Sequence, residues 1–492
     1  MENRKGNILQ SVDKTAIILY LALGIMGWLA ICGAGNSYLK SDILEFFALS
    51  ERTGKQAMWM GISFIAGIVL MFIDKRSYEF AAKFIYPALI IVGVLTIFIS
   101  RGINGSQGIK GSHSWITIGS FGIQPAEFMK FSTTLALAAL MNRYGFKLSD
   151  KKNFLKCLAI IFLPLIVIIC QNETGSALVY LSFFIVLYRE GMTGIVLLSA
   201  ISAVVYFVVG IGYETTMFEL LPVSVGHYAV TVIIQAFAVG MTIFWCKQNR
   251  TAYWILAVNA VVSLAAYWVA VYLFSFNILI VQYALLLLDI VYLLLRARIC
   301  RQSRLAFTAL FIVVSIFFFH SCDYVFNNVM KPHQKVRIEV LLGLKEDLAG
   351  AGYNVHQSKI AIGSGGLMGK GFLDGTQTKL KYVPEQDTDF IFCTIGEEQG
   401  FLGSTFVLVV FVAFILRLLV LAERQNDTFG RVYGYSLVSI FFFHFFINIG
   451  MVLGITPVIG IPLPFFSYGG SSFLGFSMLL FSFLRIDAER ER

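Results

Sequence analysis

The sequence predicts an all-α polytopic membrane protein of about fourteen transmembrane helices with one large extracytoplasmic loop. Three observations carry that prediction. The 492 residues are 58% hydrophobic and only 14% charged, with mean hydropathy +0.77, whereas soluble domains run at about 45–50% apolar and about 25% charged. Apolar runs of bilayer-spanning length recur along the whole chain. Lys and Arg gather between alternate runs, as expected of cytoplasmic loops.

A hydrocarbon core of about 30 Å takes about 20 apolar residues per helix, with a range of about 17–25. The first run, near 15–35, is followed by no A-x-A-like site, so it reads as a span and not a cleaved signal. Spans near 57–73, 80–100, 126–142, 155–170 and 174–188 come next, several of them short. A block near 194–213, 228–246, 253–274 and 277–295 follows, then spans near 305–322, 400–421, 432–452 and 468–485. With a cytoplasmic N-terminus, the connections 74–76, 143–156, 189–190, 247–250, 296–304 and 423–431 are cytoplasmic, and all carry Lys or Arg. The short outer connections 171–173, 214–227, 275–276 and 453–467 carry none. Two outer loops carry Lys or Arg against the pattern: 323–399 is long and so exempt from the rule, whereas 101–125 is a mild exception to it.

Between Gly191 and Lys247, and again from Thr251 to Leu295, there is no intervening Lys or Arg. An even number of helices can be added without inverting the downstream spans, so 191–303 reads as an accessory four-helix insertion. The predicted organisation is a transmembrane core over 1–190, that insertion, one helix over 304–322, an extracytoplasmic loop over 323–399, and a second transmembrane core over 400–492. Within the insertion, Asp289 lies seven residues before Arg296 and is expected to snorkel or pair with it. The formal charge of +9 suits anionic lipid surfaces without invoking nucleic acid. Seven scattered cysteines imply neither a disulfide framework nor a metal site.

The stretch from Gln357 to Gly400 is the one crowded, polar, glycine-rich segment, and it runs straight into apolar chain. Asp389 is its last carboxylate before Phe390-Ile-Phe, at the predicted boundary of water and hydrocarbon. Such a carboxylate can serve as a base, or Thr388 or Asp389 can cap the following helix. Glu127 and Lys130 stand three apart at the start of a span, so they share a helix face. They form either a structural ion pair or a cavity-facing pair that meets substrate. Lys370 sits in Gly365-Gly-Leu-Met-Gly-Lys-Gly371, flexible backbone able to approach an anion, and the spacing is not that of a Walker loop. Glu397 and Glu398 read as structural or supporting. Asp389, Glu397 and Glu173 admit a divalent cation, Mg or Mn, but their spacing does not demand one.

Five motifs line up on the predicted outer side: Gly111-Ser-His-Ser-Trp-Ile-Thr-Ile-Gly119, Gln124-Pro-Ala-Glu-Phe-Met-Lys130, Gln171-Asn-Glu-Thr-Gly175, the loop with GSGGLMGKG, GTQT, PEQDTDFIF and EE, and Asn448-Ile-Gly-Met with Gly460-Ile-Pro-Leu-Pro-Phe-Phe-Ser-Tyr-Gly-Gly-Ser-Ser472. Together they resemble the SEDS family (shape, elongation, division and sporulation). The resemblance covers about 1–189 and 305–492, about ten core helices, and GKGFLDGTQT points to the elongation branch. Ser114 stands where an arginine is usual, Asn172-Glu173 where Pro-Asp is commoner, and Ile459 where threonine is.

The resemblance implies a peptidoglycan glycosyltransferase that polymerises lipid II into β-1,4-linked glycan and releases undecaprenyl pyrophosphate, for elongation and rod shape. It implies a bacterial cytoplasmic (inner) membrane location with the site facing the periplasm or exterior. Asp389 is then the catalytic base. The implied substrate-binding set is Glu127, Lys130, Trp115, Lys370, Glu385, Gln386, Arg337, Lys359, Ser467 and Ser471. A class B penicillin-binding protein is the expected partner within the elongation machinery, since the transpeptidase motifs S-x-x-K with S-D-N or K-T-G are not apparent. A lipid II flippase and a non-catalytic scaffold are the rival readings. The first suits mid-membrane charge and an inverted repeat, which the sequence does not display.

Overall fold

The computed structural model describes residues 11–35, 43–104, 112–118, 121–218, 223–273, 276–330, 332–342, 344–345 and 352–490. In chain order, α1 is Lys14–Ala34, α2 Arg52–Met71 and α3 Lys75–Asn104. A hairpin of β1 (Ile116–Ile118) and β2 (Phe121–Ile123) precedes α4, Pro125–Met141, and α5, Lys151–Cys170. Next come α6 (Thr174–Leu178) and α7 (Phe183–Arg189), then α8 (Gly194–Gly212), α9 (Val225–Phe244), α10 (Asn249–Tyr272), α11 (Ile278–Ile299), α12 (Ser303–Tyr324) and α13 (Pro332–Leu341). The chain closes with α14 (Tyr353–Ser364), α15 (Thr376–Lys379), α16 (Ile391–Glu423), α17 (Thr428–Leu453) and α18 (Gly470–Ala488).

Among the described residues, twelve helices are long and apolar enough to cross a membrane. The chain is a multi-pass membrane protein. Fourteen is not reached by length, because the predicted spans 126–142 and 174–188 are short. The first is the 17-residue α4, and the second is broken into α6, a 3₁₀ turn and α7. The predicted span at 400–421 starts earlier, since α16 runs for 33 residues with a break in helical geometry at Gly400.

Two compact units are present, Met1–Met192 with Tyr353–Arg492, and Thr193–Gly352. In the first, α4 packs against α3, α5, α17 and α18 and is buried along nearly all its length. That burial suits its composition: Ser132, Thr133 and Thr134 each donate to a backbone carbonyl of the same helix, which satisfies hydroxyls removed from water. An aromatic cluster fills the centre, with Phe465 edge-on to Tyr20 at 4.9 Å and to Phe441 at 5.4 Å between ring centroids. Along the helix ends that carry the basic loops, ion pairs join Arg417 to Asp13, Arg424 to Asp487, Arg431 to Glu190 and Arg485 to Asp74.

The second unit gathers α8 to α13, with α12 packed against α8, α9 and α11. Tyr206, Ile234, Leu286, Leu293, Leu305 and Ile312 belong to its core. Asp289 does not pair with Arg296. Seven residues is about 10 Å along a helix axis, and the Asn259 amide meets the buried Asp289 carboxylate instead, at 2.8 Å. The Arg296 Nε donates to Thr251 Oγ1 at 3.3 Å.

Candidate active site

A cleft of about 570 Å³ opens in the first unit where the start of α2, the hairpin, the starts of α4 and α6, the 385–389 turn and the chain before α18 converge. Asp389, half-buried, lines it with Glu127, Glu173, Glu385, Arg52 and Lys55. Trp115 lies against Gly122 across the hairpin and also faces the cleft, as does Ser471.

The turn that carries Asp389 is wound on one carbonyl. Glu385 has φ +53, and its carbonyl accepts from the backbone N–H groups of Thr388, Asp389 and Phe390 at 3.1–3.2 Å. The N-cap of α16 is Phe390, whose side chain makes no capping hydrogen bond. The cap position therefore falls one residue past Asp389, and not on Thr388 or Asp389 as the plainer of the two sequence readings has it. Asn448, on α17, donates its amide to the Asp389 carbonyl at 2.9 Å and to the Ile461 carbonyl at 2.7 Å. This ties the turn that carries Asp389 to the Gly460–Pro464 turn. Gly460 has φ +76, and a Cβ there would lie 3.1 Å from Asp389 Oδ2. Only glycine meets both conditions without strain.

Glu127 and Lys130 form the expected pair, Nζ to Oε2 at 2.8 Å, and both are buried. Glu127 reaches the cleft wall, whereas the Lys130 ammonium is enclosed. It contacts His444 Nε2 at 3.0 Å and sits 4.8 Å above the Phe476 ring. The other ring nitrogen of His444 is 3.0 Å from the Pro462 carbonyl. The chain Glu127–Lys130–His444–Pro462 thus links α4, α17 and the Gly460–Pro464 turn.

Lys370 and Glu397 make a clamp outside the cleft. The Glu397 Oε1 accepts from Lys370 Nζ at 2.7 Å and from the Thr376 and Gln377 N–H groups at 2.8 Å. Its Oε2 accepts from the Thr378 N–H at 2.9 Å. Gln386 donates to the Ala34 and Thr378 carbonyls at 2.6 and 2.8 Å, and Ser467 Oγ accepts from the Leu463 N–H at 2.8 Å. Lys359 is exposed and lies beside Gly454. The Arg337 side chain lies outside the described residues.

The three carboxylates that could share a cation do not come together, because Glu397 is committed to the clamp. Among the described residues no group of three His, Cys, Asp or Glu is placed to hold a metal ion. Glu173 accepts instead from Ser112 and Ser114, at 2.6 and 2.9 Å, so Ser114 and Glu173, two departures from the family pattern, meet.

Sequence reasoning missed Arg52, Lys55 and His444, and it singled out Asn448 only as the start of a motif, without a role. Arg52 pairs with Asp387 and stands 5.7 Å from the Tyr468 ring centroid. Burial pushes the Tyr468 phenol above its ordinary value despite that guanidinium, so it remains a neutral hydrogen-bonding group. The signal available was positional: Arg52 and Lys55 open a span on the same predicted outer side as the motifs.

A profile of the FtsW, RodA and SpoVE family, described as "Cell cycle protein", matches residues 13–223 and 247–492. The match takes in most of 191–303, which the motifs alone leave outside the resemblance. The chain is 28% identical over 466 residues to the peptidoglycan glycosyltransferase RodA of Treponema pallidum (strain Nichols), covering 94% of each chain. It is 29% identical over 465 residues to the peptidoglycan glycosyltransferase MrdB of Escherichia coli (strain K12), covering 94% of this chain and 90% of that protein. The crystal structure of the Thermus thermophilus rod shape determining protein RodA superposes with a TM-score of 0.53 at 17% identity, covering 98% of each chain. A chain from a structure titled "Structural coordination of polymerization and crosslinking by a peptidoglycan synthase complex" superposes with a TM-score of 0.59 at 18% identity, covering 98% of this chain and 99% of that one. The fold, the motifs and the profile agree: this chain belongs to the FtsW, RodA and SpoVE family of cell cycle proteins.

Proposed function

We propose that this chain is a peptidoglycan glycosyltransferase that polymerises lipid II into β-1,4-linked glycan strands for cell elongation and rod shape. The observation that carries the reading is Asp389, a half-buried carboxylate whose turn Asn448 holds by its backbone, on a cleft that also presents the cations Arg52 and Lys55. The 4-hydroxyl of one lipid-linked disaccharide attacks the anomeric carbon of another. Asp389 takes the hydroxyl proton, the new glycosidic bond forms, and the bond from the anomeric carbon to the pyrophosphate oxygen breaks. Undecaprenyl pyrophosphate leaves with its charge met by Arg52 and Lys55, a role of electrostatic stabilisation. Glu127 faces the substrate from the opposite wall, and Lys130, enclosed behind it, positions it.

The relatives named for this activity, matched over nearly the whole chain, support the reading. The reading takes the membrane to be the bacterial cytoplasmic membrane and the cleft to face the periplasm or exterior, in keeping with basic loops at the opposite helix ends. A class B penicillin-binding protein would supply crosslinking, in keeping with the complex whose chain shares this fold.

The test is lipid II supplied to purified wild-type protein and to Asp389→Asn. Wild type should yield glycan polymer and the variant none, with partner binding intact in both. Undiminished polymer from Asp389→Asn removes the base assignment. Lipid II translocation without polymer from wild type removes the enzyme reading.

A further inference from the structure

A second cavity, of about 400 Å³, opens between α3, α4 and α5. It lies at the far end of α4 from the cleft: Glu127 and Leu140, which line the two, are about 20 Å apart along the helix. Its walls are amphipathic. Ala82, Ala136, Ala139 and Leu140 supply an apolar face of mostly small side chains, and Arg76, Lys83 and Arg143 supply three cations.

Those cations are unusual for their surroundings. Elsewhere along these helix ends arginines are matched with acids, as in Arg424 with Asp487 and Arg431 with Glu190. Arg76, Lys83 and Arg143 form no ion pair among the described residues. The one carboxylate on the cavity, Glu79, accepts from the Asn142 amide at 3.0 Å. Lys83 lies about 12 Å along α3 from its first residue, where an ammonium is costly in hydrocarbon and by default faces a cavity. Its ammonium is 6.0 Å from the Phe80 ring centroid.

The backbone keeps the space in place. Pro164 in α5 has no N–H for the Ile160 carbonyl. Tyr86 of α3 takes that role, donating its hydroxyl to the Ile160 carbonyl at 3.0 Å. The two helices are therefore pinned by a hydrogen bond at the cavity wall, and the space needs no large side chain to hold it.

We infer that this cavity binds an anionic glycerophospholipid. Its headgroup phosphate is met by Arg76, Lys83 and Arg143 through charge-assisted hydrogen bonds, and an acyl chain lies along the alanine-lined face. Basic pockets between transmembrane helices recognise lipid headgroups in this way. The lipid comes from the leaflet that borders the basic loops 74–76 and 143–156. The site is separate from the cleft and does not depend on the glycosyltransferase reading.

The test uses the full-length protein in detergent, with phosphatidylglycerol or phosphatidylcholine added, followed by native mass spectrometry and thermal unfolding. Wild type should retain phosphatidylglycerol about tenfold or more over phosphatidylcholine, with a Tm raised only by the former. Both effects should vanish in the triple variant Arg76→Gln, Lys83→Gln, Arg143→Gln. Equal retention of the two lipids by wild type overturns the inference, and so does undiminished phosphatidylglycerol binding by the triple variant. An equal Tm rise with sn-glycerol 3-phosphate would reduce the site to one for a free anion and likewise overturn it. Should the triple variant not fold, the wild-type comparison decides alone.

Discussion

Asn448 holds Asp389 by its backbone. The side-chain amide donates to the Asp389 carbonyl at 2.9 Å and to the Ile461 carbonyl at 2.7 Å, so one residue in α17 sets the spacing between two turns of the cleft. Each hydrogen bond contributes about 0.5–1.5 kcal/mol, so Asn448→Ala should lose about 1–3 kcal/mol of stability. Turnover should fall further, by about a hundredfold for a displacement of about 1 Å. Thermal unfolding and polymerisation of lipid II by the purified variant measure the two effects. An unchanged kcat beside a lowered Tm would assign Asn448 to stability alone.

Gly460→Ala should act on Asp389 directly. A left-handed backbone costs an L-residue about 1–2 kcal/mol, and the new methyl would lie 3.1 Å from the Asp389 carboxylate. Activity should drop more than stability. Gly454→Ala is the control, because Gly454 shares the left-handed geometry (φ +75) but meets Lys359 and Val355. It should lower Tm and leave turnover near wild type; equal loss of turnover in both variants refutes the steric argument.

Lys370→Met separates a clamp from a substrate cation. Glu397 is buried but Lys370 is a quarter exposed, and Glu397 keeps three backbone N–H donors. The expected loss is therefore that of a hydrogen bond to a charged group, about 1.5–3 kcal/mol, with KM for lipid II little changed. A raised KM at unaltered Tm would return Lys370 to the substrate.

Arg424 and Asp487 offer a test far from the cleft. Asp487 is fully buried and also accepts from the Gln425 amide at 2.7 Å. Arg424→Met should destabilise by about 3–5 kcal/mol, and adding Asp487→Leu should recover most of that, since a buried pair and an apolar pair are often similar in stability. Denaturant unfolding of the single and double variants measures the recovery.

Sequence periodicity reads the helices well because hydrocarbon length is a hard constraint, and α4, expected at 126–142, is found at Pro125–Met141 although it is short for a span. A helix enclosed by α3, α5, α17 and α18 need not match the bilayer, so 17 residues carrying Glu127 and Lys130 suffice. Asp389 is legible because it is the last carboxylate before an apolar run. The clamp is not: Lys370 and Glu397 are 27 residues apart, joined by a turn at Thr376–Thr378 that no spacing rule foretells. His444 looks like any histidine in an apolar helix, and only packing brings it to Lys130. Proximity in sequence points Asp289 to Arg296, whereas its partner is Asn259, on another helix.

The break at Gly400 gives α16 two tasks. At 33 residues the helix runs about 50 Å, well beyond a hydrocarbon core of about 30 Å. Gly400 adopts φ 64 and ψ −160. Before it, the Glu397 and Glu398 carbonyls accept from the Lys370 and Gly371 N–H groups, and just past it the Phe401 and Leu402 N–H groups donate to the Gly366 and Leu367 carbonyls. Residues 397–402 are thereby fastened to the glycine-rich loop, and the helix beyond them is left to follow the membrane. Acyl-chain length then acts as a lever on the cleft: lipids too short or too long for the lower segment strain the fastening, and turnover becomes a gauge of bilayer thickness.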